Sequence, residues 1–272
     1  MTAVMAMCTA MRAATAMTTD ADLVEPLTPE HLQRLATWFG AGFPIGAFSY
    51  SHGLEAAFEA GLVTDRDGLI EWIEGLLLFG SARNDAILFC AAYRRFPDLA
   101  EVSSLAAALS PSMELRAETL NQGEAFLRAV RQGWPAFLDA GASLGDERTR
   151  RETPGLADGS PGEQFAVGWP FRGPTALPVA AGACCAAAAI PLHASLLAYL
   201  HAFAANIVSA ALRSMPVGQS EGLAVQAALE NCVSLTARDA LSASLDDIGS
   251  ATPMLDWLSA THETQYSRLF RS

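Results

Sequence analysis

Few groups in this chain are suited to chemistry, and their spacing argues against most of it. His193 and His201 are eight residues apart, so on one helix their backbones lie about 12 Å apart along the axis. Two nitrogens bound at about 2 Å to one ion must approach within roughly 4 Å of each other. One metal therefore cannot easily take both. Cys184 and Cys185 are adjacent and point about 100° apart on a helix, which suits core filling better than ligation. His52 and His262 have no close histidine or cysteine companion, and no H-x-H, C-x-x-C or H-E-x-x-H spacing occurs. The expectation is no metal ligand set and no cofactor within the chain. A metal bridging two subunits stays open.

The segment Gly40-Ala41-Gly42-Phe43-Pro44-Ile45-Gly46 invites a nucleotide-binding reading that its context refuses. A dinucleotide fingerprint needs other glycine spacing and a preceding strand, whereas a helical pattern precedes this one. The phosphate loop's Gly-Lys ending is impossible in a chain without lysine. Neither Ser49 nor Ser51 has the flanking glycines of a nucleophile elbow. The segment reads as a turn. Asp246-Asp247 and the scattered glutamates read as solvated surface charge. No catalytic residue is assigned, and the chain is expected not to be an enzyme.

The elements that would position these groups are helical. Thr28-Pro29-Glu30 sets a hydroxyl cap, a proline at the first helical position and an acid in the first turn, predicting a helix to about Trp38. A second follows Ser51 with Leu54, Ala57 and Phe58 on one face and Gly61 to end it. A third follows Thr64, with Leu69, Ile70, Trp72, Ile73, Leu76 and Leu77 spaced for burial. Residues 82–96, 112–133, 174–189, 192–213, 219–232, 234–245 and 253–259 also read as helices. No stretch alternates at strand length between hairpin turns. The expected fold is all-α, a single globular helical-bundle domain of roughly ten helices over residues 28–272. Residues 1–27 read as a flexible N-terminal extension, 141–173 as a Gly/Pro-rich loop or insertion, and 262–272 as a C-terminal tail.

Composition narrows the partners. The formal charge is −12 and all 17 basic residues are arginine, with no basic run longer than two, so nucleic-acid binding is not expected. Five cysteines in apolar surroundings without framework spacing point to a reducing, cytoplasmic compartment. From Gly173 to Leu212 there are 40 consecutive residues without a charge. Pro178 and Pro191 divide that stretch, and its first half is largely alanine, which contributes little to membrane insertion. Two helices buried in a protein core, and not a membrane span, are expected.

Four segments carry a family resemblance. Residues 42–55 read Gly-Phe-Pro-Ile-Gly-Ala-Phe-Ser-Tyr-Ser-His-Gly-Leu-Glu. Ser112-Met113-Glu114-Leu115-Arg116-Ala117-Glu118-Thr119 follows with Gln122-Gly123, then Asn206 to Gln219, and last His262 to Ser272. Together they resemble the UreF family of urease accessory proteins, over roughly residues 30–272, with residues 141–165 unmatched. Val217 and Ser220 stand where that family more often has leucine and threonine. The resemblance implies an all-helical homodimer that binds UreD (also called UreH) and recruits the GTPase UreG onto apo-urease. It would serve nickel insertion and control the timing of GTP hydrolysis by UreG.

The residues offer each motif a physical role. Phe43, Phe48 and Tyr50 in a Gly/Pro turn either present aromatic area to a partner or plug the core. Arg213 and Gln219 flank Pro216 at a corner, which the resemblance assigns to the UreG-facing surface. Tyr266, Arg268, Phe270 and Arg271 form an aromatic, basic ending on an acidic chain; such a segment can order on a partner, and the resemblance ties it to UreD/UreH. Two alternatives stay open here: a nickel-binding metallochaperone in its own right, and a helical binder of apolar ligands built on residues 173–212.

Overall fold

In the computed structural model, which describes residues 26–46, 51, 53–109, 113–135, 171 and 173–249, the chain begins as its first cap dictates. The Thr28 hydroxyl accepts from the His31 amide at 3.2 Å and Pro29 opens α1, Pro29–Trp38. Eight more α-helices follow among the described residues: α2 (Leu54–Glu59), α3 (Arg66–Phe79), α4 (Ser81–Arg95), α5 (Ala100–Ala108), α6 (Met113–Gly133), α7 (Leu177–Ala187), α8 (Leu192–Ser214) and α9 (Gln219–Ser242), then a 3₁₀ turn at Leu245–Asp247. No strand occurs among these residues, and the fold is all-α as expected.

Most boundaries follow local chemistry. The cap of α3 is Asp65, one residue beyond the threonine expected, its carboxylate accepting the Gly68 amide at 2.9 Å. Gly61, at φ +68°, closes α2 in the left-handed region that glycine enters without steric cost. Two features departed from expectation. Residues 100–108 form a helix that their run of alanine and serine hides, because small residues give little contrast between faces. Residues 219–242 form one helix where two were expected: no glycine or proline lies between Leu223 and Ser242 to break it. The expected helix at 253–259 lies outside the described residues.

The packing centres on α4, α7 and α8. Every residue of α7 from Leu177 to Cys185 is buried, as a helix apolar all round requires. It lies against α4 and α6, with α5 and α8 also touching it. Glycine allows the approach: a Cβ on Gly182 would stand 2.4 Å from the Phe89 carbonyl oxygen, and one on Gly123 would stand 1.9 Å from that of Thr175. On the other side α9 runs along α8 and α3, with the Thr236 hydroxyl donating to the Leu77 carbonyl at 3.1 Å. Arg83 ties α4 to the end of the chain's described part, its Nε on Asp239 and Nη1 on the Asp247 carbonyl, both at 2.8 Å.

Two stretches, Arg66–Arg95 and Leu192–Ser214, are long and apolar enough to cross a bilayer, yet 72% and 61% of an apolar 18-residue run in each are buried inside the protein. The first is also broken: Gly80, extended at φ −116° and ψ −150°, separates α3 from α4. Their apolarity is therefore spent on one another.

Candidate functional site

Three of the four signature segments have described residues, and they meet inside the bundle. The turn after α1 folds on itself, the Phe43 amide donating to the Gly40 carbonyl at 2.9 Å and Gly46 taking φ +83°, open to glycine at no steric cost. Ile45 is buried, and its carbonyl accepts from the Asn206 side-chain amide of α8 at 3.0 Å. The first and third segments are thus pinned together. From the second, the Thr119 hydroxyl accepts the Leu177 amide at 3.2 Å, satisfying an otherwise orphaned donor at the start of α7.

Between them lies a cavity of about 150 Å³. Its polar lining joins α4, α6 and α8. The Tyr199 hydroxyl donates to Asp85 Oδ2 at 2.9 Å, and the Gln122 side-chain amide donates to Glu118 Oε1 at 2.9 Å. Burial pushes the Asp85 carboxyl up from its ordinary 3.8 to about 7, and the hydrogen bond from Tyr199 offsets only part of that. The Tyr199 phenol is held well above its usual range, first by burial and then by Asp85, with Glu118 adding to the effect. Chemically this is a proton-exchanging carboxyl at neutral pH beside a phenol and a second carboxylate, with no histidine or cysteine among the described residues that line the cavity.

Sequence reasoning missed Asp85 and Tyr199. The signal was one of register: Asp85 lies three residues after Ala82 and four before Phe89, both fully buried, so it falls on the inward stripe of α4. Glu118 was quoted within a signature segment, and it stands one turn after Leu115 and one before Gln122 on the same face of α6.

Of the residues expected at an interface, Phe43, Arg213 and Gln219 are described. Phe43 is half-buried, packing edge-on against Phe126 at 5.1 Å between ring centroids and tilted against Trp134 at 6.3 Å. Arg213 and Gln219 are exposed at the corner between α8 and α9. Pro216 follows the last turn of α8, and the Arg213 Nε donates back to the Ser209 carbonyl at 3.0 Å. Gly218 is extended at φ −82°, with its amide donating to the Glu221 carboxylate at 2.9 Å. It starts α9 as an N-cap and needs no left-handed turn. Behind the corner, α8 and α9 touch closely: a Cβ on Gly222 would lie 3.1 Å from Leu212. Phe48, Tyr50, Tyr266, Arg268, Phe270 and Arg271 lie outside the described residues.

His193 and His201 both stand on α8. Cys90, Cys184, Cys185 and Cys232 are buried as free thiols, and among the described residues no three histidine, cysteine or acidic side chains gather as a metal set would.

Fold and site define an all-helical bundle that gathers three of its signature segments around an interior cavity and turns its long helix pair through an exposed corner. The chain belongs to the UreF family of urease accessory proteins. The family model described as UreF matches residues 63–230. The chain is 41% identical to the urease accessory protein UreF of Azorhizobium caulinodans, over 92% of this chain and 99% of that one. It is 42% identical to that of Rhodopseudomonas palustris strain TIE-1, over 89% and 92% respectively. With that of Methylobacterium sp. strain 4-46 the identity is 45%, over 88% and 87%. These relatives carry the name of accessory proteins and not of enzymes.

Proposed function

We propose that this chain is a non-catalytic adaptor in the nickel-dependent maturation of urease. It binds UreD/UreH, recruits UreG to apo-urease, and regulates the timing of GTP hydrolysis there. In this reading it works in the cytoplasm as a homodimer and holds no resident cofactor. Residues 28–272 act as one domain, with 141–173 as an inserted loop and 1–27 as an extension.

The observation that carries the reading is the corner of α8 and α9. Two exposed polar side chains, Arg213 and Gln219, are presented by helices fastened at Gly222, so little order must be gained when a partner binds. Phe43, Phe48 and Tyr50 of the turn and the tail residues Tyr266, Arg268, Phe270 and Arg271 form the second and third partner-binding segments. The test is capture of UreG and UreD/UreH by the purified chain and by the double variant Arg213→Ala, Gln219→Ala. Loss of UreG with UreD/UreH retained is expected; unchanged UreG capture would remove the corner from the mechanism. Deletion of residues 262–272 is expected to leave helical content intact and abolish capture of UreD/UreH.

A further inference from the structure

We propose that residues 253–259 dock as a short amphipathic helix across the mouth of the interior cavity of the same chain, against Leu109 and the first turn of α4. The described residues end at that mouth. The Gly249 amide donates to Asn84 Oδ1 at 3.0 Å, and two residues earlier the Asp247 carbonyl accepts from Arg83 at 2.8 Å. Asn84 lines the cavity together with Ser81 and Leu88 of the same helix, so residue 250 sets out from the rim. From Gly249 to Pro253 the chain spans at most about 14 Å when fully extended. The apolar residues that follow are therefore tethered within reach of the opening.

The pattern of those residues calls for a surface. Thr252-Pro253 repeats the Thr28-Pro29 pair that caps and opens α1. On a helix Met254, Leu255, Trp257 and Leu258 fall within one half of the circumference, with Asp256 and Ser259 on the other. So short a helix does not hold its shape alone in water, and it needs an apolar wall to lie on. The rim supplies one. Leu109, just after α5, lines the cavity yet is 38% exposed, and Met113, which opens α6, is 82% exposed. Leu88 and Ala106 continue that wall inward. A short linker holds the segment at an effective concentration on the order of millimolar, which favours the chain's own helix over one from a second copy. Docking there fixes where residues 262–272 leave the bundle, beside α4 and α5, whatever that tail goes on to bind.

A bimane fluorophore attached at Leu109→Cys in the full chain tests this, because tryptophan quenches bimane only at close range. Cys8→Ser removes the one cysteine outside the described residues, and the buried thiols of Cys90, Cys184, Cys185 and Cys232 escape brief labelling of the native protein. Quenching is expected in the chain that carries Trp257. It should be lost in Trp257→Phe, and lost equally in the double variant Met254→Asp, Leu258→Asp, which keeps the tryptophan and spoils the apolar face. Equal fluorescence with and without Trp257, or quenching that survives the double variant, would overturn the docking. Labelled chain bearing Trp257→Phe is also mixed with unlabelled chain that keeps Trp257. No quenching is expected there; quenching in that mixture would assign the mouth to a second copy's helix and overturn docking within one chain. Met113→Cys gives a second attachment point, at an exposed position, should Leu109→Cys not fold.

Discussion

Replacing Asp85 by asparagine should make this protein more stable at neutral and alkaline pH, against the usual run of core substitutions. The carboxyl's folded pKa is about 7 against 3.8 unperturbed, so the folded state holds the proton more tightly than the unfolded chain does. Stability from this group is fully present below about pH 4 and is lost as pH rises toward 7, levelling off above it. A rise of about 3 units at 1.36 kcal/mol each sets an upper limit of about 4 kcal/mol. Asp85 keeps partial exposure to solvent, and the screening this allows brings the figure toward about 2 kcal/mol. Asparagine keeps an oxygen to accept the Tyr199 hydroxyl and never ionises.

Urea unfolding of wild type and variant at steps from pH 4.5 to 8.5 reads this out directly. The two proteins should agree within about 1 kcal/mol at the acid end, and the variant should lead by about 2–4 kcal/mol above pH 7.5. Parallel curves, or a variant less stable at pH 8, would refute the reasoning and mean that Asp85 is ionised and compensated in the folded state.

The close approaches of α7 give a second test: Gly182→Ala and Gly123→Ala force a Cβ into carbonyl oxygens at 2.4 and 1.9 Å and should each cost about 2–4 kcal/mol or prevent soluble expression. Gly133→Ala, with nothing within 4 Å, should be neutral or slightly stabilising by the same urea assay. Asp65→Ala, which removes the cap of the Gly68 amide, should cost about 1 kcal/mol. Burial pushes the Cys90 and Cys185 thiols up to about 12, so alkylation at pH 8 should be slow in the native protein and fast in urea; labelling of these two at equal rates in both states would contradict their placement.

Much of the fold was legible because local and tertiary signals agreed. Thr28-Pro29-Glu30 announced α1, and Leu69 to Leu77 announced the buried face of α3. Where they disagreed, reading failed for stated reasons. The alanines and serines of α5 blur its faces, and the division expected inside α9 had no breaker behind it. The candidate site residues divide the same way. Arg213 and Gln219 were legible as a corner because Pro216 must end α8, while nothing near Phe43 in sequence announced that Phe126 and Trp134 would pack on it. Asp85 hid because its partner, Tyr199, lies 114 residues away, and no local spacing reports such a pair.

The interior cavity and the exposed corner share α8, and that shared helix makes the two readings separable. Asn206 holds the signature turn against one stretch of α8, Tyr199 reaches Asp85 from another, and Arg213 projects from its last turn. A charge buried in the cavity costs stability, yet α8 is tied independently to α9 near the corner, where Val208 and Leu212 close on Gly222. An adaptor that needs only its corner should therefore tolerate Asp85→Asn with UreG capture intact and stability raised. Loss of capture in a variant that is folded and more stable would show that the cavity itself takes part in recognition.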